Sequence, residues 1–136
     1  MIVNYRKPAI FISFDVENDQ GLKNDLIAES QKADSLFQVH STSTNGNHTD
    51  KQWLLNTRQE INAVDKLVVI LGPKTSNNLK VAREVDLGME CNKPIAQLRI
   101  QGTDPNPMPM LKWNYVYIWE EKAFIQAFRP IEILDQ

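Results

Sequence analysis

At 136 residues and a formal net charge of -2, the chain is long enough for one buried core, and it lacks the basic excess that nucleic-acid binding requires. Its 42% hydrophobic and 24% charged content fits a water-facing globular domain over residues 1–136, no apolar run approaches the ~20 residues of a membrane helix, and no apolar signal region follows the cations of the first eight residues. The single cysteine, Cys91, cannot form an internal disulfide, which points to a reducing, cytoplasmic setting.

In chain order, Ala9 to Asp15 is apolar and β-branched and predicts a buried strand, ended by the polar turn Glu17 to Gly21. Leu22, Leu26 and Ala33 fall on one helical face, with Asp19 available as N-cap. Ser35 to Ser41 alternates Phe37 and Val39 against Leu36, Gln38 and His40, which suits an edge strand. A loop of hydroxyl and amide residues, Thr42 to Asp50, follows, and Asp50 can cap a helix with Leu54, Ile61 and Val64 inward and Trp53 near its start. Leu67 to Leu71 is a continuous apolar run, the mark of a central parallel strand covered on both faces. After Gly72-Pro73-Lys74-Thr75-Ser76 a helix begins near Ser76 and places Val81, Val85 and Met89 on one stripe. Pro94 to Ile100 predicts the next strand, and the proline-rich stretch Gln101 to Asn114 an irregular loop. Tyr115 to Trp119 predicts a last strand, and Ala123, Phe124, Ala127 and Phe128 a closing helix interrupted by Pro130.

This alternation predicts an α/β fold, a flavodoxin-like three-layer sandwich around a five-stranded parallel sheet of order 2-1-3-4-5. Its binding crevice lies beyond the ends of the first and third of those strands. Ser13, Phe14, Asp15, Glu17 and Asn18 converge there with Gly72, Lys74, Thr75 and the helix bearing Glu84. On a helical wheel Glu84 borders the Val81/Val85/Gly88 stripe, where partial desolvation raises a carboxyl pKa and poises it for chemistry. The alternative is an exposed glutamate paired with Lys80 or Arg83. Gly88 either leaves space beside Glu84 or lets the helix pack closely on the sheet. Trp53 is either a core or rim residue or a surface on which a base stacks beneath the polar loop.

Several α/β chemistries are excluded. A phosphate-binding loop needs Gly-Lys-Ser/Thr in a glycine-rich turn, but the first strand ends in Phe14-Asp15-Val16-Glu17. A dinucleotide fingerprint needs three close glycines there, and the nearest is Gly21. A phospho-accepting receiver needs an aspartate where this chain has Leu71-Gly72-Pro73. His40, His48 and Cys91 lack metal-site spacing, so no metal is expected.

Ile10-Phe11-Ile12-Ser13-Phe14, the block Val69-Ile70-Leu71-Gly72-Pro73-Lys74-Thr75, Glu84 at its distance from that threonine, Lys93-Pro94-Ile95 and Asp104-Pro105-Asn106-Pro107 together resemble a Toll/interleukin-receptor (TIR) domain. The resemblance, to the bacterial branch that includes the Thoeris anti-phage proteins, runs from about Ala9 to Tyr117. It implies cleavage of the nicotinamide–ribose bond of NAD as substrate, with no separate cofactor, and in some relatives closure of ADP-ribose into a cyclic signal read by a downstream effector. It also implies self-association through TIR–TIR contacts. Glu84 takes the place of the catalytic glutamate, stabilising oxocarbenium-like charge as nicotinamide leaves. Ser13, Phe14 and Asp15 would line the nicotinamide side. Thr44 and Asn45, in the loop that covers the site in relatives, together with Trp53 and Thr75 complete the candidate substrate-binding set. The chain departs from many relatives just ahead of the glutamate, where Leu79, Lys80 and Val81 replace a tryptophan or cysteine. Two other readings share these residues: a TIR-like module that only binds other proteins, and an N-glycosidase that prefers nucleosides to NAD.

Overall fold

The computed structural model describes residues 3–99, 107–112 and 114–133. Five short parallel strands are built from the apolar runs: β2 (Ala9–Ser13), β3 (Gln38–Thr42), β4 (Lys66–Ile70), β5 (Ile95–Arg99) and β6 (Val116–Ile118). They form one sheet in the order β3-β2-β4-β5-β6, parallel throughout, which is the expected order with its central crossover. Ahead of and behind this sheet lies a feature the sequence did not announce. β1 (Asn4–Arg6) and β7 (Ile131–Ile133) pair antiparallel as a separate two-stranded ribbon. Asp65 fastens the ribbon to the sheet by accepting both guanidinium nitrogens of Arg6, at 2.6 and 2.8 Å, and the Ala9 amide at 2.8 Å.

Strand periodicity sorts the core into two layers. Ile10, Ile12, Val68, Ile70, Ala96 and Leu98 pack on one face, with Leu26 of α1 (Gln20–Ser30) and Phe124 and Ala127 of α4 (Glu121–Ala127). Phe11, Leu67, Val69 and Leu71 point to the other, against Ile61 of α2 (Lys51–Asn62) and Val81, Val85 and Leu87 of α3 (Leu79–Glu90). β4 is apolar at successive positions because helices cover both of its faces. By the same parity Ser13, two residues after Phe11, faces the α2/α3 layer. That alternation sets up the site.

The helix ends show where local chemistry sufficed. Asp50 caps α2 through the amides of Gln52 and Trp53, as expected. α3 begins three residues later than expected, after a 3-10 turn over Thr75–Asn77, because the Asn78 side chain accepts from the Val81 amide and fixes the first turn there. Asp19 stands at the N-cap of α1 but makes no cap hydrogen bond, its carboxylate being directed elsewhere. Ala33 lies beyond the end of α1 and is exposed, and Met89 turns outward from the Val81/Val85 stripe. β3 starts at Gln38 rather than Ser35, since Ser35 and Phe37 are engaged in a local turn through the Ser35 hydroxyl. Ile100, residues 101–106 and Trp113 lie outside the described residues. Among the described residues no helix is long and apolar enough to cross a membrane.

Candidate functional site

Glu84 is not at the border of the α3 stripe but wholly inside it, with 0% of its surface exposed. It therefore is not the solvated partner of Lys80 or Arg83. α3 crosses the sheet so that Glu84 reaches the end of β2, where Ser13 donates its hydroxyl to Glu84 Oε1 at 2.7 Å. A second hydroxyl, from Ser43 just beyond β3, donates to the same oxygen at 2.6 Å. Glu84 Oε2 is buried and has no hydrogen-bonding partner among the described residues. Burial pushes the Glu84 carboxyl up from 4.5 to about 7, while the Ser43 and Ser13 hydroxyls and the nearby Lys80 charge pull the other way. A carboxyl so placed exchanges protonation states near neutral pH.

Ser43 was visible only as one hydroxyl residue in a polar loop, and nothing in its local sequence separates it from Thr42 or Thr44. Its place comes from the sheet. The Ser43 amide donates to the Ile12 carbonyl at 2.8 Å and its Oγ accepts the Phe14 amide at 3.1 Å, so it extends the β2–β3 pairing by one residue. The segment after it is held over the helix by Lys80, whose ammonium donates to the carbonyls of Thr44 and Gly46. Gly46 sits at φ +145°, and a Cβ there would come within 2.9 Å of the Trp53 ring. Trp53 is thus packed beneath the loop, 7% exposed, rather than offered as an open stacking surface.

The remaining candidates divide by location. Asp15 and Asn45 line a cleft of about 530 Å³ with Glu17, Asn47, His48 and Lys80. Asp15 is nearly buried, and it also shapes the turn after β2 by accepting the Glu17 and Asn18 amides and the Asn18 side chain. Phe14 is turned away from this cleft into the α1/α4 core. Thr75 is fully buried, and its hydroxyl is committed within the protein: it accepts the Gly72 amide at 2.8 Å and lies 3.3 Å from both Asp19 Oδ2 and the Ile70 carbonyl. It secures the turn after β4 rather than presenting a group to the cleft. Burial, and then the neighbouring Asp15 charge, raise the Asp19 carboxyl pKa.

Two glycines matter here for closeness of approach. A Cβ on Gly72 would lie 1.9 Å from Asp19 Oδ2, so the carboxylate occupies the space that a side chain would need. Gly72→Ala is therefore expected to lower stability by about 1–3 kcal/mol, as overpacking does. A thermal melt should show a fall of several degrees, and an unchanged midpoint would mean that Asp19 moves aside without cost. A Cβ on Gly88 would come within 2.9 Å of Leu67 Cδ2, so Gly88 faces the sheet. It serves close packing of α3 on β4.

A comparably sized cleft, about 430 Å³, is lined by Lys32, Phe37, Trp119 and Phe124 among others. Phe37 and Phe124 belong to the core layer of α1 and α4, on the opposite face of the sheet from Glu84. Glu84 does not itself line the first cleft, but Lys80, one turn before it on α3, does, which makes that cleft the nearer of the two to the buried carboxylate.

The family described as Thoeris protein ThsB, TIR-like domain, has a model that matches residues 11–105, a stretch containing Ser13, Ser43 and Glu84. Among solved structures, the crystal structure of a prokaryotic SEFIR domain is similar to this chain with a TM-score of 0.54 and 14% sequence identity, over 88% of this chain and 86% of that one. That similarity is one of fold. No curated protein matches the chain.

Proposed function

The chain belongs to the TIR-like domain family of the Thoeris protein ThsB, and on that basis we propose that it cleaves the nicotinamide–ribose bond of NAD, with Glu84 as its catalytic carboxylate, in anti-phage signalling. The observation that carries this reading is Glu84 itself: buried, held on one oxygen by two serines, and unpartnered on the other. In the reaction the C1′–N bond breaks and its electron pair leaves with nicotinamide, which becomes neutral. The positive charge left on the ribose is what a preorganised carboxylate stabilises best, because a buried site weakens that attraction far less than water does. Water then attacks C1′ and loses a proton to give ADP-ribose, or a nucleophile within the same molecule attacks and closes a cyclic product. Asp15 and Asn45 line the cleft that would receive the dinucleotide.

Because Glu84 has no exposed surface, substrate must displace the Thr44–Gly46 segment that Lys80 holds, while Ser43 keeps its bonds to β2 and Glu84. Lys80 opposes that movement through its two carbonyl contacts. Lys80→Met should speed amide hydrogen exchange over residues 43–47 by about fivefold, the equivalent of about 1 kcal/mol for a lost hydrogen bond. Equal exchange in both proteins would mean that Lys80 does not restrain the loop.

The experiment for the whole reading is incubation of concentrated protein with NAD, following nicotinamide release and product mass by chromatography. ADP-ribose indicates hydrolysis, and a product lighter by one water indicates cyclisation. Inclusion of nucleosides as competitors tests the N-glycosidase alternative.

Exposed apolar side chains on two helices favour one second reading, a module that binds other TIR-like domains without catalysis. Leu55 of α2 and Leu79 and Met89 of α3 leave apolar surface exposed for such contacts. Concentration-dependent assembly in sedimentation, with no nicotinamide released from the assembled form, would select it.

A further inference from the structure

Ser43 carries more connections than a loop serine needs. Its backbone amide is bonded to Ile12, its Oγ accepts from Phe14, and its single hydroxyl proton has two acceptors in reach. These are Glu84 Oε1 at 2.6 Å and the Ile12 carbonyl at 3.4 Å. The shorter distance, to an oxygen that bears charge when Glu84 ionises, directs the proton to Glu84. Ser13, on the neighbouring strand end, supplies a second proton to the same oxygen. Both donors are thereby anchored to β2.

We propose that Ser43 and Ser13 are positioning residues that clamp Glu84 Oε1, so that Oε2 is the oxygen presented to the ligand. This inference deepens the NAD-cleavage reading, but its geometric content stands without it. Two donors on one oxygen restrict rotation of the carboxylate about its last bond, which leaves the unpartnered oxygen in one defined place. They also favour the ionised form over the neutral one. Among the described residues, few groups face Glu84. From its own helix Lys80 adds a favourable charge. Among the described residues, β2 and the end of β3 supply two neutral hydroxyls, those of Ser13 and Ser43. Asp15 and Asp19 stand further along the β2–α1 connection, with their carboxylates bonded to the Glu17–Asn18 turn and to Thr75.

The test is the titration of the Glu84 side-chain carboxyl carbon by ¹³C NMR on the full chain without NAD, with the resonance identified by its absence in Glu84→Gln. Ser43→Ala and Ser13→Ala should each raise the Glu84 pKa by about one unit, the scale of one hydrogen bond to a charged group. Ser43→Thr keeps the hydroxyl and should titrate as the unaltered protein does. A purely structural serine would leave the titration where it is, and unchanged values in both alanine variants would overturn the inference. Ser43→Ala also leaves the Phe14 amide unsatisfied; if it does not fold, Ser13→Ala and Ser43→Thr decide the matter alone. In turnover, the alanine variants should lose about tenfold in kcat with little change in KM. Shifted titrations in a protein that never releases nicotinamide would sink the NAD reading and leave the clamp standing.

Discussion

Glu84→Gln should reduce nicotinamide release from NAD by at least about a hundredfold, the usual cost of removing one preorganised electrostatic group at a reacting centre. The substitution keeps shape and volume, and its amide oxygen can still accept from Ser13 and Ser43. What it removes is the negative charge that offsets the developing charge on the ribose. The loss should therefore appear in kcat, while KM, which reports contacts along the whole dinucleotide, should move little. In the unaltered protein the same charge gives turnover an acid limb. Glu84 ionises near pH 7, so kcat should rise as pH passes through that value and level off above it. Single-turnover measurements from pH 5.5 to 8.5 read both effects. Undiminished release by the glutamine variant would remove Glu84 from the chemistry, whatever else the protein does with NAD.

The buried carboxyl should also govern how stability responds to pH. In the unfolded chain it releases its proton near 4.5, but in the folded protein it holds that proton to about 7. Between those values the native state binds more protons than the unfolded state, so the free energy of unfolding falls as pH rises through the interval. Above about pH 7 the full contribution has been lost. At about 1.4 kcal/mol per unit, a shift of this size corresponds to about 3 kcal/mol. Asp19 acts in the same direction and Asp65, held low chiefly by its hydrogen bond from Arg6, in the opposite one. The difference between the unaltered protein and Glu84→Gln isolates the single group. Urea unfolding from pH 4.5 to 8 should show the two proteins diverging by about 3 kcal/mol in favour of the variant as pH rises. Parallel curves would mean that Glu84 titrates as an ordinary exposed carboxyl and is not buried in solution.

These two expectations share a cause: a charge-bearing group has been enclosed where its ionisation is costly. A protein that retains such a group sacrifices stability at neutral pH. The arrangement makes sense where the free carboxylate is needed by a ligand, and it makes little sense for a surface that only binds another protein.

Much of the fold was written in local sequence because its determinants act over a few residues. The uninterrupted apolar run Leu67 to Leu71 specified a strand covered on both faces, and the alternation of strands and helices specified the parallel order that the sheet adopts. Asp50 announced the start of α2 by its side-chain chemistry. The helical position of Glu84 left a bordering and an exposed carboxylate equally open, and only the TIR resemblance singled it out as the expected catalytic group. Other features depended on partners distant in the chain. The β1–β7 ribbon joins residues at the two ends of the described structure, and neither three-residue strand carries a periodic signal strong enough to stand alone. Asp19 had the identity of a cap but was drawn to Thr75, 56 residues away, into space that only Gly72 leaves open. The wheel placed Glu84 at a border, because a helical wheel knows the direction of a side chain and not the depth of the element packed above it. The crossing of α3 over β2, together with one residue of pairing beyond β3, brought Ser13 and Ser43 onto a single oxygen from 71 and 41 positions away. Sequence determined which carboxylate lies on the inward part of α3, since that is a property of the side chain and its helical face. Tertiary structure decided what holds it and how strongly it resists ionising, since hydrogen bonding and desolvation belong to neighbours that only the folded chain assembles.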